Sequence, residues 1–228
     1  MDGTALRDAR LASSSTQVDA ALRLGVTQAY LSMVERGTRR VSAELASRAT
    51  VVFEVSPTAL PLGSYQPVSR SEFSFKQVLG ALGYPGFAYL HGNLTLNPAE
   101  LLMEALDSDD LDSRVTEALP WLLLAYPKLD WDWLTRSSKL RDRQNRLAFV
   151  VSLAIQVAAQ KKDVSLKAAL ENRLQQLERS RLAAEDTLCK DSMTKAERKW
   201  LKTHRSRAAK HWNLLTDLTA EQLDYAAF

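Results

Sequence analysis

The chain has 228 residues, 46% of them apolar and 25% charged, with eight Gly and seven Pro. This composition suits a folded chain of one or two domains with a sizeable core, and it excludes a collagen-like or disordered linker protein. The net charge of +3 is unevenly spread: residues 1–65 carry seven basic and six acidic side chains, 66–135 four and ten, and 136–228 nineteen and eleven.

A basic end of this kind suits a polyanion or an acidic partner, and it equally describes solvated helix faces. The longest apolar stretches, Trp121 to Tyr126 and Leu147 to Ala159, fall short of the ~18–20 residues that a bilayer span needs. The start Met1-Asp2-Gly3-Thr4 lacks the pattern of a signal peptide, so a cytoplasmic protein without a membrane segment is expected. Cys189 is the single cysteine, and His91, His204 and His211 have no thiol companions at zinc spacing. Neither a disulfide nor a metal site is expected.

Helix start signals recur and β-branched alternation is nearly absent, so an all-α chain with no sheet is expected. The first 60 residues divide into five short helical pieces, about 4–13, 17–24, 28–36, 43–54 and 57–61, with caps at Thr16, Thr27, Ser42 and Ser56. Between the second and third, Gly25 can take the positive φ that ends a helix, and Val26 can plug the corner of a steep crossing. At 100° per residue, Leu31 and Val34 share one face of the third piece, while Gln28, Ala29, Ser32, Met33 and Arg36 spread around the other. Small and hydrogen-bonding side chains on an exposed helix face can enter a major groove.

The run Leu6-Arg7-Asp8-Ala9-Arg10, Thr16-Gln17, Leu24 through Gly37 and Arg39-Arg40 resembles the helix-turn-helix domain of phage-repressor and Cro-like (XRE-type) regulators over about residues 4–62. The resemblance implies a double-stranded DNA partner. It places Gln17 and the start of the second helix against phosphate, and Gln28, Ala29, Ser32 and Met33 toward bases, with Thr27 at the helix start. Arg36 lies at the edge of that face, and Arg39 and Arg40 are placed on the DNA backbone. It further implies that Arg10 and Glu35 form an ion pair inside the domain. A carboxamide can pair bidentately with adenine, which makes Gln28 the first candidate for base readout.

Leu62 to Ser71 is rich in turn formers and without periodicity, and it sets a domain boundary near residue 65: residues 1–65 bind DNA, and 66–228 form a larger helical bundle for dimerisation or partner binding. Short helices are expected at 73–82 and 98–106, and one at 113–126 whose Pro120 kinks or restarts it. Gly83 to Gly86 is a turn, and Asp107 to Asp112 an acidic connector. The Leu and Trp cluster from Leu119 to Leu134 reads as core, and one long helix is expected from Trp131 to Gln160.

Residues 164–188 place Leu166, Leu170, Leu174, Leu177, Ala184 and Leu188 near heptad spacing, as a helical hairpin or a dimer seam. Residues 195–215 read as a basic amphipathic helix around Trp200, His204, His211 and Trp212. It serves phosphate or an acidic partner, or is a solvated face with both Trp turned inward. No Gly-rich phosphate loop, Gly-x-Ser-x-Gly elbow or His-Glu-x-x-His occurs, so neither an enzyme nor a cofactor is expected.

The expected function is sequence-specific transcriptional repression by a homodimer on an inverted-repeat operator, with the interface in Leu147 to Ala159 and Leu166 to Leu177. The alternatives are an antitoxin that neutralises a partner toxin through its carboxy-terminal domain, or an interaction adaptor that never reads DNA.

Overall fold

The computed structural model describes residues 1–62, 75–90, 96–223 and 225. The chain divides into two compact units, Met1–Gln66 with Leu94–Asn97, and Pro67–Asn93 with Pro98–Phe228. The expected linker lies outside the described residues, apart from Leu62.

The first unit contains α1 (Gly3–Ala12), α2 (Gln17–Leu24), α3 (Gln28–Glu35) and α4 (Ala43–Val52), followed by a 3₁₀ turn at Pro57–Ala59. Each helix opens on an oxygen side chain that accepts a first-turn amide: Asp2 from Ala5, Thr16 from Asp19, Thr27 from Tyr30 and Ser42 from Leu45. Gly25 ends α2 in the left-handed region at φ 67°, and the Val26 amide bonds back to the Ala21 carbonyl at 2.9 Å. A side chain at 25 would be strained in that conformation. Leu6, Leu24, Leu31, Val34 and Leu45 are buried together at the centre, with Val26 packed against them. Asn97 closes this unit by donating its amide to the Leu60 carbonyl at 2.8 Å.

The second unit contains α5 (Phe75–Ala81), α6 (Pro98–Asp107), α7 (Ser113–Ala125), α8 (Trp131–Leu140), α9 (Gln144–Gln160), α10 (Val164–Glu178), α11 (Lys195–His204) and α12 (Arg207–His211). One helix, α7, continues through Pro120. The central α9 packs on α7 and antiparallel to α10, and its residues from Leu147 to Ala154 are almost all fully buried. Tyr84 sits among Phe87, Trp121 and Tyr225 at ring distances of 5.3–5.9 Å, so the aromatic cluster is packing. Arg146 is 1% exposed. It gives Nε and Nη2 to Asp186 at 2.7 and 2.8 Å and Nη1 to the Leu106 and Ser108 carbonyls, which anchors α9 to the connector after α6. Burial opposes its charge, yet Asp186 outweighs burial and raises its pKa above the usual arginine value.

Five expectations for this half are corrected. The helix expected over 131–160 is two helices, because Asp142 turns left-handed at φ 56° and Arg141 and Arg143 both reach Asp107, at 3.6 and 3.3 Å. The periodicity of 164–188 continues past the end of its helix at Glu178. Leu170 and Leu177 are buried, while Leu188 belongs to an irregular segment.

The chain is not free of sheet: β1 (Asp186–Thr187) pairs in parallel with β2 (Leu214–Leu215). Two residues per strand are too few to show alternation. The basic helix expected over 195–215 breaks at Arg205, where Ser206 caps α12. Finally, the apolar surface of α9 that was expected to be spare is covered by helices of its own unit, whereas on α10 Leu166 and Leu174 stay half-exposed.

Candidate nucleic-acid interface

The outer face of α3 is set by what the core takes from it. Leu31, Val34 and Glu35 are buried, so Gln28 and Ala29 are left exposed, and Ser32 and Met33 are half-covered. Thr27 is exposed. Its hydroxyl oxygen accepts the Tyr30 amide at 3.2 Å, which leaves its own hydrogen available to an outside acceptor. Arg36 lies at the far end, exposed, with Nε folded onto the Ser32 carbonyl at 3.2 Å. Arg39 and Arg40 follow in the exposed loop and make no ion pair among the described residues.

A chain of side-chain hydrogen bonds runs beneath this face. Arg10 binds both oxygens of Glu35, at 2.7 and 3.0 Å, and also reaches the Ser15 carbonyl at 2.9 Å. Burial alone would push the Glu35 carboxyl up, but hydrogen bonds from Arg10 and Gln17 hold it below the usual range. Gln17 donates its amide to Glu35 at 2.8 Å, and its own oxygen accepts the amide of Gln28 at 2.9 Å. One N–H of Gln28 is thereby committed. Its second N–H and its carbonyl oxygen remain, and these are the two valences that a bidentate contact to adenine uses.

The first residues of α2, beside Gln17, carry first-turn amides that no helix can satisfy internally, and such a turn is a natural phosphate contact. The fold therefore gathers Gln17, Thr27, Gln28 and Ala29 at the start of α2 and α3, with Ser32 and Met33 behind them. Arg36, Arg39 and Arg40 stand apart at the other end of α3. The two glutamine links, Gln17 to Glu35 and Gln17 to Gln28, were not read from the sequence, because nothing local connects positions 18 and 11 residues apart. Gly3 was missed as well. A Cβ there would stand 2.0 Å from the Val34 carbonyl oxygen, so the first turn of α1 lies directly on the end of α3.

Among the described residues no cluster of three or more His, Cys, Asp and Glu could hold a metal, and no helix is long and apolar enough to cross a membrane.

Residues 6–60, about a quarter of the chain, match the helix-turn-helix family model. No curated protein and no solved structure matches the chain. The amino-terminal unit is thus a helix-turn-helix of the type found in DNA-binding transcription regulators, and that match does not extend into the carboxy-terminal unit.

Proposed function

We propose that this chain is a transcriptional repressor that reads its operator through α3 and works as a homodimer on an inverted repeat. The observation that carries the reading is the Gln17 to Gln28 hydrogen bond, which holds the exposed carboxamide of Gln28 in one orientation before DNA arrives. A side chain ordered in advance loses less entropy on binding, so its contact discriminates better between bases. Ala29 and Met33 offer apolar contact to thymine methyls, Gln17 and Thr27 meet phosphate, and Arg36, Arg39 and Arg40 meet the backbone beyond.

Residues 1–65 supply this surface, and residues 66–228 hold two copies together or bind a protein partner. Dimerisation follows from affinity. One small module with three exposed arginines at its groove side makes few phosphate contacts, whereas two copies span half-sites about 34–36 Å apart.

The test is selection of bound duplexes from a random pool by the full chain, with sedimentation of the same sample. An enriched inverted repeat bound by a dimer is the expected result. A protein that enriches no sequence loses the repressor reading. A neighbouring gene product that copurifies and is neutralised favours the antitoxin.

A further inference from the structure

We propose that the second unit carries a binding site for a small organic cation, an amine on an apolar or aromatic body, in the cleft between α7, α11 and the segment after β2. The cleft has a volume of about 680 Å³, within the range of small-molecule sites. Its floor is apolar and belongs to the core: Leu188, Leu201, Leu215 and Leu218 are all buried.

Its wall is Trp200. The neighbouring Trp212 is 2% exposed and donates its indole N–H to Ser152 at 3.0 Å, as a packed tryptophan does. Trp200 is 50% exposed. One of its faces is covered by His204, with ring centres 4.3 Å apart and planes within 5°, so the indole is held in place. An exposed large aromatic ring is costly to keep in water and is enriched where something binds.

The charges around the cleft choose the ligand. Among the described residues, Glu117, Glu197 and Asp217 line it beside Lys190. Glu197 has one oxygen engaged by Thr194, at 2.7 Å from the backbone amide and 2.8 Å from the hydroxyl. Those bonds hold its carboxyl below the usual range, so it stays charged. Asp217 is exposed and makes no ion pair among the described residues. An anion would meet Asp217 and Glu197 here, and a neutral apolar body would leave Asp217 unanswered. An ammonium group answers it and is attracted to an indole face as well. All of these residues lie in the second unit, so the site stands or falls independently of DNA reading by the first.

The experiment is calorimetric titration of the full chain with tryptamine, phenethylamine, octylamine and benzyltrimethylammonium, against indole-3-acetate and tryptophol as the anionic and neutral counterparts. At least one cation is expected to bind at millimolar concentration or better, and the anion not at all. Trp200→Leu and Asp217→Asn should each weaken that binding by roughly three- to ten-fold. Both residues are exposed, so both variants should keep the melting temperature of the parent chain and its preference for duplex DNA. The proposal is overturned if no cation binds, if indole-3-acetate binds as well as tryptamine, or if neither variant changes the affinity.

Discussion

The guanidinium of Arg10 meets both carboxylate oxygens of Glu35, Nε to Oε1 at 2.7 Å and Nη2 to Oε2 at 3.0 Å, and so ties the last turn of α1 to the last residue of α3. Both side chains are nearly buried, so each is the other's main counter-charge. Removing one partner of such a pair costs more than removing both, because a lone buried charge remains. Arg10→Met should destabilise the first unit by about 3–5 kcal/mol, and Arg10→Met with Glu35→Leu by clearly less. Amide exchange in peptides from α1 and α3 measures this; equal losses in the single and double variants would deny the coupling. Because the Glu35 carboxyl is held low, its contribution is present above the unfolded value near 4.5 and fades as pH falls through the folded one.

On the DNA face, two substitutions should separate two kinds of contact. Gln28→Ala removes the groomed carboxamide and should lower discrimination between operator and random duplex by about 1–3 kcal/mol, with little change in salt dependence. Arg40→Ala should weaken binding to every duplex alike and reduce the salt slope by about one. Fluorescence anisotropy over a range of salt concentrations distinguishes them. A Gln28→Ala protein that loses affinity equally for all sequences would remove this residue from base readout.

Gly3 is the point of closest approach between α1 and α3. With the Val34 carbonyl oxygen 2.0 Å from the position of an added Cβ, and backbone on both sides, the helices must part to admit a methyl group. Gly3→Ala should cost about 1–3 kcal/mol despite alanine's better helix propensity. Exchange of the α1 amides should speed up; exchange that slows instead would mean that propensity outweighs the clash.

Glu104 provides a pH dependence of unusual sign. Burial on α6, with the charge of Glu100 one turn earlier, pushes its carboxyl from the ordinary 4.5 up to about 7. A carboxyl raised in the folded state stabilises most below its unfolded pKa and loses that contribution as pH rises through the folded value. The second unit should therefore be more stable at pH 5 than at pH 8 as far as this residue decides. Glu104→Gln should flatten that slope. Thermal melts across the interval test it, and a variant whose slope equals that of the parent would assign the dependence to another group.

What was legible in the sequence was local. Thr16, Thr27 and Ser42 cap their helices and Gly25 turns the corner, because capping and helix-ending bonds join residues three to five apart. The division of α3 into a buried Leu31 and Val34 and an exposed Gln28 and Ala29 follows from the same short period. Tertiary structure decided where distant side chains meet. Gln17 could have faced phosphate alone, and only the packing of α2 on α3 brings it between Glu35 and Gln28.

Arg146 reads as one more cation in a basic run. Its burial depends on carbonyls and a carboxylate that return to it from 38 to 40 residues away. Trp200 and Trp212 look alike in one basic amphipathic stretch. The break at Arg205 sends the second into the core and leaves the first at the surface, since a helix period carries a face forward only while the helix lasts.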